Sequence, residues 1–227
     1  MMNNLSQRLI TSVLLLLILS ISLFVNKYIW LFALIFVSLF LFIEFNYLIK
    51  KIWKKEKTLI ASLNIFSLLF LVILIYVSYM SYSEPPISLV FIILICIFSD
   101  TGGYVVGNLI GGRKLTKISP NKTISGSLGS FIFSLFSIVI LWTYYNLSYD
   151  DKNFVTDNYL KLIPTCLFLC LICQLGDLFI SYFKRKAKVD DTGSILPGHG
   201  GLLDRIDGML LAIPIGIIIW EFLFIFI

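Results

Sequence analysis

Asp100, Asp177, Asp204 and Asp207 each stand inside or against a long apolar run, close to loops rich in Lys and Arg. A carboxylate at membrane depth is costly unless it meets water, a cationic partner or a metal. Asp204 and Asp207 lie three residues apart and would share one face of a starting helix. Together with Asp177 they would converge at one depth, beside the basic run Lys184-Arg185-Lys186-Ala187-Lys188. Three carboxylates meeting several cations suit Mg²⁺-assisted chemistry on a polyphosphate. The carboxylates hold a hard cation through oxygen, while the metal and the side-chain cations spread phosphate charge. Helix capping is the plainer account of Asp204, but it leaves Asp177, Asp191 and Asp207 unexplained.

Asp100 sits in Ser99-Asp100-Thr101-Gly102-Gly103. Its plain alternative is a structural carboxylate paired with a lysine of the following loop. The glycines allow close approach of backbone to a ligand, and equally allow two helices to pack closely. The loop lacks the spacing of a phosphate-binding loop of the Walker type. His199, the only histidine, is flanked by Gly198, Gly200 and Gly201, and reads as a phosphate contact rather than a general base.

The elements that must carry these residues are membrane helices. Of 227 residues 59% are apolar and 14% charged, too little polar surface for a soluble domain of this length. Seven apolar runs approach the roughly 20 residues that a helix needs to cross a bilayer: 9–25, 28–48, 58–79, 86–110, 126–146, 159–181 and 209–227. The expected fold is all-α and polytopic. Residues 1–85 would form N-terminal transmembrane helices, and 86–227 a catalytic region with loops at 111–125 and 182–208. The first run reads as a retained span, since no small-residue cleavage site follows it. In the seven-span arrangement 15 of the 18 Lys and Arg fall on one side, leaving Lys27, Lys152 and Lys161 opposite. That side, with the N-terminus and both basic loops, is therefore expected to be cytoplasmic. The net charge of +5 reports this asymmetry and attraction to anionic membrane lipid; nothing points to nucleic acid. Cys166, Cys170 and Cys173 share one helical face, and with Cys96 read as small packing residues rather than a metal face.

The residues alone thus point to metal-dependent phosphoryl or nucleotidyl transfer on a lipid, without naming either substrate. A transporter would place its carboxylates along a path near the midplane. Here they gather toward one face, beside the basic loops.

The run Ser181-Tyr182-Phe183-Lys184-Arg185, then Asp191, then Pro197-Gly198-His199-Gly200-Gly201-Leu202-Leu203-Asp204-Arg205-Ile206-Asp207 strongly resembles the signature of the CDP-diacylglycerol synthase (phosphatidate cytidylyltransferase) family. Gly176-Asp177-Leu178, Ser99-Asp100-Thr101-Gly102 and Ser119-Pro120-Asn121-Lys122-Thr123 look like that family's as well. The resemblance covers about the last 130 residues. It implies attack by the phosphate of phosphatidic acid on the α-phosphate of CTP, with loss of pyrophosphate. By the same resemblance Asp177, Asp204 and Asp207 bind Mg²⁺, a second, monovalent cation being left open. Lys122, Lys184, Arg185, His199 and Arg205 would hold phosphates. Asp100, Ser119, Asn121, Thr123, Ser181, Asp191, Gly200 and Gly201 complete the expected substrate site. A homodimer in a bacterial inner membrane, with the active site facing the cytoplasm, is also implied.

Three positions depart from the family pattern. Asp190 stands where a Lys is usual, Ile180 where a Glu is usual, and Ser125 where a Glu precedes Gly126. They leave open a degenerate member without turnover. CTP-dependent polyprenol or phytol kinases are the nearest alternative activity. The intact run from Pro197 to Asp207 favours the cytidylyltransferase.

Overall fold

The computed structural model describes residues 4–83, 86–148, 153–196 and 200–225, and within them the chain is helical apart from loops and two isolated backbone bridges. In chain order the helices are α1 (Asn4–Phe24), α2 (Lys27–Ile52), α3 (Lys57–Met80), α4 (Ile87–Ile110), α5 (Ile124–Ser134), α6 (Phe136–Ser148), α7 (Phe154–Ala187) and α8 (Leu203–Trp220), with a π-helical turn at Glu221–Ile225. Among the described residues six helical stretches are long and apolar enough to cross a membrane, and Val13–Phe24 within α1 is a shorter apolar helix. The protein is an all-α, polytopic membrane protein.

The expected fifth span comprises α5 and α6, interrupted at Leu135, whose carbonyl accepts a hydrogen bond from the Ile138 N–H. Helix α7 is much longer than the span read from its apolar run, because polar residues at both of its ends continue the helix. Helix α8 begins before the expected position 209, inside the Asp-rich motif.

Two compact units divide the chain: Met1–Pro86 with Ile180–Asp207, and Ile87–Phe179 with Gly208–Ile227. In the first unit the α2–α3 pair is tied by a hydrogen bond from Asn64 Nδ2 to Asn46 Oδ1 at 3.1 Å. Tyr82 Oη donates to the Leu23 carbonyl at 2.8 Å. Phe183 stacks edge-on against Phe45 and Trp53, with centroids 5.2 and 6.3 Å away. Large apolar side chains such as Phe32 and Phe66 point away from the protein, as lipid-facing residues do. The C-terminus of α7 closes with a bond from Val189 N to Lys184 O, Lys188 taking the left-handed conformation at φ 54°. That closure satisfies carbonyls which the helix end would otherwise leave unpaired.

In the second unit, α4 and α5 cross through glycine. A Cβ on Gly102 would stand 2.5 Å from Phe133 Cβ and 2.6 Å from the Gly129 carbonyl. One on Gly126 would stand 2.7 Å from the Gly103 carbonyl. The packing reading therefore holds at Gly102 and Gly103, with Gly126 of α5 facing them, as for small residues between membrane helices generally. Ser130 Oγ adds a bond to the Ser99 carbonyl at 2.7 Å. Gly102→Ala should cost about 1–3 kcal/mol, the usual range for overpacking a close-fitting interior. Thermal unfolding in detergent measures it, and an unchanged melting temperature would contradict the packing role.

Candidate active site

In the second unit the loop between α4 and α5 folds back on itself. Leu115 N donates to Lys122 O at 2.8 Å and Ile124 N to Arg113 O at 3.0 Å, a short antiparallel pairing that returns the chain to α5. Thr123 caps that helix, its Oγ1 accepting from Gly126 N at 3.0 Å. Ser125, one of the three departures, joins the closure: its hydroxyl pairs with that of Thr123 and donates to the Gly111 carbonyl. Lys122 is thereby fixed at the end of a constrained turn.

Lys122 reaches Asp177 on α7, Nζ to Oδ2 at 2.7 Å. The other Asp177 oxygen, Oδ1, is buried and among the described residues has no hydrogen-bond partner. An oxygen of Asp100, an oxygen of Asp177 and the Cys173 sulfur lie within 4.8 Å of one another. Around this group opens a cavity of about 280 Å³, lined among others by Asp100, Ser119, Asn121, Lys122, Thr123, Ser127, Gln174 and Asp177. Ser127 Oγ donates to Gln174 Oε1 at 2.6 Å, which fixes one polar wall. Gly208 matters here: a Cβ on it would come within 2.7 Å of Asp177 Oδ1, so a larger residue would fill the space beside the unpartnered oxygen.

The structure brings together Asp100, Ser119, Asn121, Lys122, Thr123 and Asp177 from the expected site. The lysine that partners a membrane-depth carboxylate is Lys122, and the carboxylate it meets is Asp177. Of the cysteine face, Cys166 donates to the Ser134 carbonyl and Cys170 to Ser99 Oγ, which are packing roles. Cys173 alone borders the carboxylates.

In the first unit Lys184, Asp204, Thr192 and Gly201 form a second cluster. Lys184 Nζ lies 2.7 Å from Asp204 Oδ1, and the Asp204 side chain is 6% exposed. Asp204 Oδ2 accepts from Thr192 N at 2.8 Å, Thr192 Oγ1 at 3.0 Å and Gly201 N at 3.1 Å. Expected as a metal ligand, Asp204 is engaged by four bonds within its own unit. Ile206, at φ −125° and ψ 15°, breaks regular helical geometry between Asp204 and Asp207. The two aspartates are therefore not one helical i,i+3 step apart. Gly200 has φ +82°, a conformation that L side chains resist, and faces the carboxylate of Asp191. Arg205 is exposed; Ser181 and Asp207 are half-buried. Arg185 pairs with Asp190 at 3.2 Å, with side chains 51% and 92% exposed. A pair so open to solvent is worth little, so this departure occupies Arg185 only loosely. Ile180, another departure, is buried. His199 lies outside the described residues.

Sequence reasoning passed over Glu44 on α2. Its carboxylate accepts bonds from Thr192 Oγ1, Leu202 N and Leu203 N at 2.8–2.9 Å. The signal was available, since Glu44 interrupts an apolar run as Asp100 does.

A family model described as the cytidylyltransferase family matches residues 47–223. Among curated proteins the chain is similar to the phosphatidate cytidylyltransferase of Staphylococcus haemolyticus, 42% identical over 123 residues, which is 54% of this chain and 44% of that one. It is also similar to the proteins of the same name from Staphylococcus saprophyticus and Staphylococcus epidermidis, 41% and 38% identical over 138 residues, covering 60% of this chain and 50% of each relative. The chain spans about half the length of the curated relatives it matches.

Proposed function

The chain belongs to the cytidylyltransferase family, and from that membership we propose that it transfers CMP from CTP to phosphatidic acid, giving CDP-diacylglycerol and pyrophosphate. The observation that carries the reading is the polar cavity at Asp177, where one carboxylate oxygen is held by Lys122 and the other is buried with no partner among the described residues. A cation site and a phosphate-binding lysine side by side are what a nucleoside triphosphate requires.

A phosphate oxygen of the lipid forms a bond to the α-phosphorus of CTP. The bond from that phosphorus to the bridging oxygen of the β-phosphate breaks, and pyrophosphate leaves with the electron pair. The lipid phosphate is already ionised at neutral pH, so no strong protein base is needed. Positioning and charge stabilisation carry the catalysis. Lys122 donates to a CTP phosphate when it turns from Asp177, and Asn121 and Ser119 offer further polar contacts from the cavity wall. Lys184, Arg185, Arg205 and His199 are assigned to phosphates of CTP and phosphatidic acid by their positions in the family signature.

Asp177, with Asp100, would hold Mg²⁺: both offer carboxylate oxygen, and Asp177 Oδ1 has no other partner among the described residues. Cys173 is too soft a donor for this ion. When bound, Mg²⁺ neutralises triphosphate charge at the reacting phosphorus. For Asp204 we propose a different task, that of orienting Lys184, since its oxygens are taken by donors of its own unit. The site faces the cytoplasm of a bacterial inner membrane in this reading, where CTP is found and where the positive-inside rule puts the basic loops.

Lys122→Met should lower kcat/KM for CTP about 10- to 100-fold, the equivalent of one charge-assisted hydrogen bond. Steady-state kinetics in mixed micelles would read this directly, and an unchanged kcat/KM would remove Lys122 from the site. The function itself is tested by pyrophosphate release from purified protein in detergent. Release must require CTP, phosphatidic acid and Mg²⁺ together, and stop with EDTA. Release of CDP in place of pyrophosphate would make the protein a lipid kinase.

A further inference from the structure

Glu44 is 3% exposed in the middle of an apolar helix, and among the described residues it forms no ion pair. A buried carboxylate without a cation is tolerated only when its oxygens are fully hydrogen-bonded. The donors are all from one loop of the same unit. Leu202 N reaches Oε1 at 2.9 Å, Leu203 N reaches Oε2 at 2.8 Å, and Thr192 Oγ1 reaches Oε2 at 2.9 Å. Leu202 and Leu203 stand at the start of α8, where unpaired N–H groups favour a negative charge.

The same Thr192 hydroxyl lies 3.0 Å from Asp204 Oδ2, and Asp204 Oδ1 binds Lys184. Glu44, Asp204 and Lys184 are thus linked through Thr192, whose single hydroxyl proton is shared between the two carboxylates. Glycine lets the loop approach this closely. A Cβ on Gly193 would stand 2.7 Å from Glu44 Oε1, and one on Gly201 2.6 Å from Oε2. Thr192, Gly193 and Gly201 are therefore shaped around a residue that lies before the family match begins at position 47.

We infer that Glu44 is a positioning residue for the proposed reaction: it pins Thr192 and the start of α8 at Leu202 and Leu203 and, through Thr192, fixes the Asp204–Lys184 pair. The inference rests on the cytidylyltransferase reading only for its effect on rate; the pinning of the loop stands apart from it. Glu44→Gln removes one of the two oxygens that receive the loop's N–H groups. Misplacing a phosphate-binding lysine by a fraction of an ångström lowers kcat more than it raises KM.

The experiment combines amide hydrogen exchange with kinetics on the full chain in detergent. In Glu44→Gln the peptide carrying Leu202 and Leu203 should exchange about tenfold faster or more. The kcat should fall about tenfold, with KM for CTP changed less than about threefold. Thr192→Val keeps the shape and loses the hydroxyl; Thr192→Ser does the reverse. The valine variant should lose about tenfold in kcat and the serine variant less than about twofold. A packing role alone predicts the opposite order. The double variant Glu44→Gln/Thr192→Val should be no slower than the worse single variant, as expected for residues acting in series.

Wild-type exchange in a folded Glu44→Gln protein would overturn the inference. So would a serine variant slower than the valine variant, or effects that multiply in the double variant. Should Glu44→Gln not fold, the Thr192 pair decides. Should the wild type make no CDP-diacylglycerol, the functional reading fails and hydrogen exchange alone decides the role of Glu44.

Discussion

Asp177→Asn is expected to lower kcat on the order of 10²–10³-fold while leaving the protein folded. The substitution keeps the shape of the side chain and removes its charge. Lys122 Nζ loses an anionic partner, but that side chain is 32% exposed and can turn to water. The cost in stability should therefore be small beside the cost in rate. Asp177 Oδ1, by contrast, is buried in the cavity with no partner among the described residues, and space beside it is kept open by Gly208. An amide there offers a neutral oxygen or an N–H, and neither substitutes for a carboxylate that binds Mg²⁺. Steady-state kinetics with a parallel melting curve measures both quantities. A variant that is folded and turns over at the wild-type rate would remove the metal role from Asp177.

The second large effect belongs to Lys184. Lys184→Met leaves Asp204 charged at 6% side-chain exposure, and breaking a buried pair by removing one partner costs about 3–5 kcal/mol. The three bonds to Asp204 Oδ2 remain and should bring the loss toward the lower end of that range. The double variant Lys184→Met/Asp204→Asn removes the stranded charge, so much of the stability should return. Activity should not return, because the cation proposed to bind phosphate is still missing. Chemical denaturation and kinetics on the same samples separate the two. Restored stability with restored turnover would mean that the pair is purely structural.

The sequence was most informative where polarity and membrane depth conflict. Apolar runs located the helices because a bilayer admits few alternatives. Asp100 and Asp177 stood out because carboxylates in such runs are costly, and both line the cavity. Glu44 met the same criterion, yet it lies far from the recognisable motifs, and two of its three donors are backbone N–H groups 158 and 159 residues away. Contacts of that kind leave no residue-type signature. The employment of Asp204 was hidden for the same reason, since two of its four donors are main-chain amides. The glycines of α4 could be read two ways, and only the distances to α5 decide between them. The break at Leu135 had no proline or glycine to announce it.

The proposed reaction is defined by the fate of the CTP phosphorus atoms, and one measurement follows them directly. Purified protein in detergent is given phosphatidic acid, Mg²⁺ and CTP labelled either in the cytidine or in the γ-phosphate. Cytidylyl transfer puts cytidine label in the lipid fraction and γ-label in pyrophosphate, both abolished by EDTA. The appearance of γ-label in lipid, or of neither label in a product while the folded protein binds CTP, would contradict it.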